Sequence, residues 1–125
     1  MASQKQQYTI LYGRLSQEDE RAGESNSILH QRELLESYAQ AKGFENTLFL
    51  ADDGYSGTNF DRPSWKKIIE MIEAGEVSTL IVKDTSRLGR EYLQVGSYME
   101  IYFPQKNVRF IAVNDGVDSA VELSL

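Results

Sequence analysis

Thr9-Ile10-Leu11-Tyr12-Gly13-Arg14-Leu15-Ser16 begins as an apolar, β-rich run and turns polar without a break. Thr9–Tyr12 reads as a strand, because it is short, rich in β-branched and aromatic residues, and closed by a glycine. Three runs of the same kind follow it: Leu48–Ala51, Thr79–Lys83 and Val108–Val113. Three helix-like stretches separate them. Ser27–Lys42 sets Ile28, Leu35, Tyr38 and Ala39 near one face, and Gly43 is placed to stop it. Arg62–Ala74 is the clearest helix. Trp65, Ile68, Ile69 and Ile72 follow the i, i+3, i+4, i+7 pattern, Asp61 can cap the start, and Gly75 follows the end. Tyr92–Phe103 is the third, with Pro104 helping to end it. The order β-α-β-α-β-α-β predicts an α/β domain of three layers, with a mainly parallel central sheet flanked by helices. Val117–Leu125 matches no element. Residues 118–125 therefore read as the frayed end of one domain spanning residues 1–125.

Three connections leave the C-terminal ends of these strands, the edge where ligands usually bind in open α/β sheets. They are Gly13–Asn26, Asp52–Asp61 and Asp84–Glu91. In the first, Arg14 and Ser16 point to the same side if the extended geometry continues. A serine hydroxyl is a weak nucleophile until activated, and a nearby guanidinium can grip a phosphate by paired hydrogen bonds. The second loop, Asp53-Gly54-Tyr55-Ser56-Gly57-Thr58-Asn59-Phe60-Asp61-Arg62-Pro63, has two glycines that permit turns presenting backbone N–H groups. Arg62 adds positive charge to a helix start that already favours anions, which is unfavourable unless an anion is there. The third loop, Lys83-Asp84-Thr85-Ser86-Arg87-Leu88-Gly89-Arg90, carries three cations. If a helix begins near here, Lys83, Arg87 and Arg90 share one face. Arg14, Arg62, Arg87 and Arg90 would repel one another without an anion, and they fit a phosphoryl-transfer transition state.

Composition narrows the reading. Net charge is −6, from 19 acidic and 13 basic residues, so the chain is a poor non-specific DNA binder by itself. That leaves room for a catalytic module whose DNA affinity lies in another domain. There are no cysteines, which excludes disulfides and thiolate zinc sites and fits a cytoplasmic protein. No apolar h-region and no membrane-length apolar run is present, so no membrane partner is expected.

Taken in order, Tyr12 to Ser16, Ser27 to Gln31, Asp53 to Gly57 with Asp61-Arg62-Pro63, and Ser86-Arg87-Leu88-Gly89-Arg90 resemble the resolvase/invertase catalytic domain of serine recombinases. The resemblance covers roughly Tyr8 to Val117. Lys83 to Leu93 looks most like the large serine recombinases of mobile transposons. The resemblance implies that Ser16 attacks a DNA phosphodiester, forms a 5′-phosphoserine link and releases a 3′-hydroxyl, within a tetramer assembled from dimers. It implies active-site roles for Arg14, Arg87 and Arg90, and supporting roles for Arg62, Ser56 and Gln31. Ser86, Asp84 and Lys83 belong to the same loop and count as supporting residues. No cofactor and no metal is implied. One departure stands out. Small resolvases usually carry an aspartate where this chain has Ser86, and Asp84 lies two residues earlier. The family continues into a long helix and DNA-binding regions, so the chain is expected to be a fragment of a longer recombinase.

Two other readings compete. Asp52, Asp53 and Asp84 at strand ends could hold Mg²⁺ in a receiver-like phosphoacceptor domain, with Thr85 and Lys83. Such acidic pairs normally follow the first strand, and four arginines would go unexplained. A non-enzymatic interaction module with an idle Ser16 is the other, and it too leaves the arginines without a purpose. His30 reads as an exposed helix residue. Tyr92, Tyr98, Tyr102 and Phe103 read as core or subunit interface more readily than as a base-stacking surface.

Overall fold

Alternation along the central strands explains the layers. In β1 (Tyr8–Leu15), Ile10 and Tyr12 face one side and Leu11 the other. β3 (Val77–Val82) divides Leu80 and Val82 from Ile81, and β4 (Arg109–Ala112) divides Phe110 and Ala112 from Ile111. All nine of these residues are at most 1% exposed, so both faces of the sheet need cover. Helix α1 (Ile28–Lys42) covers the Leu11 side with Leu35 and Ala39. Helix α2 (Pro63–Glu73) brings Trp65, Ile68 and Ile72 to the other side. That face is completed by a helical run of α4 (Tyr92–Ser97), a π-helical turn (Tyr98–Tyr102) and α5 (Phe103–Gln105).

With β2 (Thr47–Asp53) and β5 (Val117–Asp118), the strands run in the order β2-β1-β3-β4-β5. The first four are parallel and β5 is antiparallel to β4. The structure is a computed structural model that describes residues 7–16, 27–55, 60–89 and 91–120, apart from the side chain of Tyr92. Its three-layer α/β arrangement is the one expected.

Several local readings are corrected. β1 extends three residues past Tyr12, because Gly13, Arg14 and Leu15 keep pairing with Ala51, Asp52 and Asp53. The polar connection therefore starts at Ser16. α1 stops as expected, with Gly43 at φ 78°. Asp61 does not cap α2 and pairs with Lys66 instead. The cap comes from β2, where Asp52 accepts from the backbone N–H groups of Ser64 (2.9 Å) and Trp65 (3.0 Å). After β3 the chain makes one turn, α3 (Thr85–Leu88), and then Gly89. A side chain at Gly89 would start 2.8 Å from Phe60 Cζ and 3.2 Å from Val95 Cγ2, so it would have to displace these side chains. The last helical run ends at Gln105, two residues past Phe103, with Pro104 accepted in the first turn of α5 after the π-helical turn. The frayed end also changes. Val117 and Asp118 pair with Ala112 and Ile111, and Arg109 grips the Asp118 carboxylate with two bonds of 2.7 and 2.9 Å. Residues 121–125 lie outside the described residues.

Candidate active site

Strand ends set the site's framework. Tyr12 is a strand residue with a polar tip, and a buried phenol needs partners. Its hydroxyl donates to Asp52 on β2 (2.7 Å) and accepts from Arg62 Nη1 (2.9 Å). Burial, reinforced by Asp52, pushes the Tyr12 phenol up, while Arg62 opposes the shift. Tyr12 therefore remains a neutral donor at physiological pH. The Arg62 guanidinium lies 4.6 Å from the Phe60 ring centre and 5.7 Å from that of Trp65, and Nη2 donates to the Leu88 carbonyl (2.5 Å). Fully buried, Arg62 ties the start of α2 to α3. The anion that its position called for is the Asp52 carboxylate, and it is internal to the fold.

Ser16 follows this framework directly and is 8% exposed. Arg14, two residues before it on β1, forms a reciprocal clasp with Arg87. Arg14 donates to three backbone carbonyls: Arg87 from Nε (3.2 Å), Tyr55 from Nη1 (3.0 Å) and Ser86 from Nη2 (2.6 Å). Arg87 Nη1 returns a bond to the Arg14 carbonyl (2.7 Å). Gln31 from α1 closes the other side. It accepts from the Arg14 N–H (3.0 Å) and donates to the Arg14 carbonyl (2.9 Å). The Leu15 carbonyl, one residue from Ser16, accepts from the N–H groups of Gly54 (2.6 Å) and Tyr55 (3.1 Å). All three connections thus meet at the end of β1.

Arg14, Arg62 and Arg87 are each at most 3% exposed, which rules out a solvated basic patch. The expected self-repulsion among them is corrected as well, since carbonyl oxygens, the Tyr12 hydroxyl and aromatic faces surround these cations. Lys83 and Arg87 do not share a helical face. Lys83 precedes α3, which ends at Leu88, and Lys83 is half-buried with its carbonyl accepting from the Asn114 N–H (2.7 Å). Ser86 and Asp84 are half-buried against Arg87. Arg90 and Ser56 lie outside the described residues. Asp52 is committed to Tyr12 and the α2 start, so it is not the open carboxylate that a receiver-like site needs. Among the described residues, no group of three or more His, Cys, Asp or Glu side chains is placed to hold a metal. His30 is exposed, as expected. Tyr98 is half-buried and Phe103 buried, and both pack in the core rather than presenting a stacking surface.

Two contributors were missed in the sequence. Asp52 read as a loop carboxylate, and Tyr12 only as the start of a motif. A signal was available for Tyr12, since it lies two residues before Arg14 and therefore on the same face of β1.

The family model described as Resolvase, N terminal domain matches residues 9–123. The N-terminal catalytic domain of TP901-1 integrase superposes with a TM-score of 0.80 at 25% identity, covering 94% of this chain and 85% of that one. A resolvase family site-specific recombinase from Streptococcus pneumoniae gives 0.71 at 26% identity, over 94% and 79% of the two chains. The C-terminal catalytic domain of ISC1926 TnpA, an IS607-like serine recombinase, gives 0.70 at 26%, over 85% and 67%. Uncharacterized immunity region protein 3 of Bacillus phage phi105 is 37% identical over 65 residues, 52% of this chain and 78% of that protein.

Proposed function

The chain belongs to the resolvase N-terminal domain family and is a serine recombinase catalytic domain for site-specific recombination, and from that premise we propose that Ser16 is its nucleophile. The Ser16 Oγ attacks the phosphorus of a DNA phosphodiester. An O–P bond forms, the bond from phosphorus to the 3′-oxygen breaks, and the serine proton is balanced by one gained at the departing 3′-hydroxyl. The 5′-phosphoserine link keeps the bond energy, and a 3′-hydroxyl reverses the attack after strand exchange.

The observation that carries this reading is the Arg14–Arg87 clasp at the strand end that delivers Ser16. A phosphate oxygen is a stronger acceptor for guanidinium N–H groups than a neutral carbonyl, because charge-assisted bonds are roughly twice as strong. DNA therefore exchanges carbonyl acceptors of Arg14 and Arg87 for phosphate oxygens, with Arg90 adding a third cation. Arg62 and Gln31 hold the frame, and Ser56 and Lys83 are supporting residues by the family resemblance. The reaction draws on no cofactor and no metal.

The remaining parts of the reading follow from the family. This chain is the catalytic piece of a longer recombinase, works on DNA in the cytoplasm, and self-associates to a dimer and then a tetramer when complete. No helix among the described residues is long and apolar enough to cross a membrane. The test is covalent capture. Sheared DNA of the source genome, incubated with the complete protein without Mg²⁺ and quenched in detergent, should yield protein–DNA adducts. A nicked duplex bearing the recovered site should trap them, and Ser16→Ala should form none. An adduct that persists in Ser16→Ala would sink the assignment.

A further inference from the structure

Asp84 occupies the residue position before α3 where an aspartate ordinarily accepts from the first free N–H groups of the helix. Its side chain makes no such bond. Asp115 reaches in from the β4–β5 connection to take the Thr85 N–H (2.8 Å), and the Asp84 carboxylate turns toward Ser86 and Arg87. Resting on the Ser16 reading, we propose that Asp84 is a positioning residue that orients Arg87 through the Ser86 hydroxyl.

The chemistry of the three groups permits one arrangement. A guanidinium only donates and an ionised carboxylate only accepts, while a hydroxyl has one hydrogen and two lone pairs. Ser86 Oγ accepts from Arg87 Nε (3.3 Å) and Nη2 (3.0 Å), so its single hydrogen goes to Asp84 Oδ1. Asp84 Oδ1 itself is 3.6 Å from Arg87 Nε, beyond good hydrogen-bond reach. The hydroxyl fills that gap. With Nε and Nη2 fixed on one side, Nη1 is aimed at the Arg14 carbonyl, two residues before Ser16. The relay thus sets the direction of the guanidinium beside the nucleophile. The departure at Ser86 is then a longer route for the same carboxylate charge.

Two measurements test this. The first is the rate of Ser16 adduct formation by the complete protein on the nicked duplex. Asp84→Asn and Ser86→Ala should each slow it by about tenfold to a hundredfold, since misplacing a group by an ångström costs that much. In an Arg87→Lys background, Asp84→Asn should add less than about twofold, because its effect passes through Arg87. Ser86→Asp should restore the Asp84→Asn rate to within about threefold by supplying the carboxylate directly. The second is hydrogen exchange at Arg87 Nε, read by NMR on this 125-residue chain without DNA. It should quicken in Asp84→Asn and slow again when Ser86→Asp is added. An unchanged rate in Asp84→Asn, a full additive loss in the Arg87→Lys background, or unchanged Nε exchange would each overturn the relay. Absence of any wild-type adduct would overturn the Ser16 reading instead, and the exchange measurement would still decide the relay.

Discussion

Tyr12 and Ser86 do the same job in two places. Each puts a hydroxyl between a carboxylate and a buried guanidinium: Asp52–Tyr12–Arg62 and Asp84–Ser86–Arg87. A direct buried ion pair must offset a large desolvation penalty, and an interposed hydroxyl spreads the charge over more hydrogen bonds. Asp52 is held by three hydrogen bonds, with both oxygens accepting from backbone N–H groups and Oδ2 also from Tyr12. Asp52→Asn replaces one acceptor oxygen with a donor, so at least one buried donor loses its partner. Stability should fall by about 2–3 kcal/mol, measured by urea unfolding. Asp53→Asn, at an exposed neighbour, should stay within about 0.5 kcal/mol of wild type. Equal losses in the two variants would contradict the role given to Asp52.

Elements were legible where one strong pattern fixed them. Trp65, Ile68 and Ile72 marked α2, and the four parallel strands stood out as apolar runs. What escaped depended on partners distant in sequence. The cap of α2 comes from Asp52, twelve residues before Ser64, and no local motif announces it. β5 is two residues long and has no apolar run to betray it. Its pairing leans on Arg109, whose hydrogen bonds hold the Asp118 carboxyl below the usual carboxylate range. A lowered folded value means that the stabilisation is complete above the ordinary aspartate pKa of about 3.9 and disappears as pH falls through the folded value. Backbone NMR signals of Ile111 and Ala112 should therefore hold steady down to about pH 4 and shift below it. Asp118→Asn should show the loosened state already at neutral pH, with no further acid step. An acid step of equal size in Asp118→Asn would remove this cause.

For the molecule as a whole, charge and topology divide the labour. The parallel strands bring three sequence-distant connections to one edge, so the arginines could be grouped from the strand order alone. Their surroundings could not, because a guanidinium cluster reads the same in sequence whether it faces water or backbone carbonyls. A net charge of −6, with Arg14, Arg62 and Arg87 buried, leaves little for non-specific phosphate contact. Fluorescence anisotropy of this chain with a labelled random duplex near 150 mM salt should give a Kd weaker than about 10⁻⁴ M. Micromolar binding would contradict that division.

The most direct measurement of the central claim is the site of the covalent bond. Adduct from the complete protein, trimmed by nuclease and digested with trypsin, should carry its nucleotide remnant on the peptide Leu15–Arg21, in which Ser16 is the only serine. A remnant joined through a 5′-phosphate at Ser16 is the predicted result. A remnant on any other peptide would contradict the account.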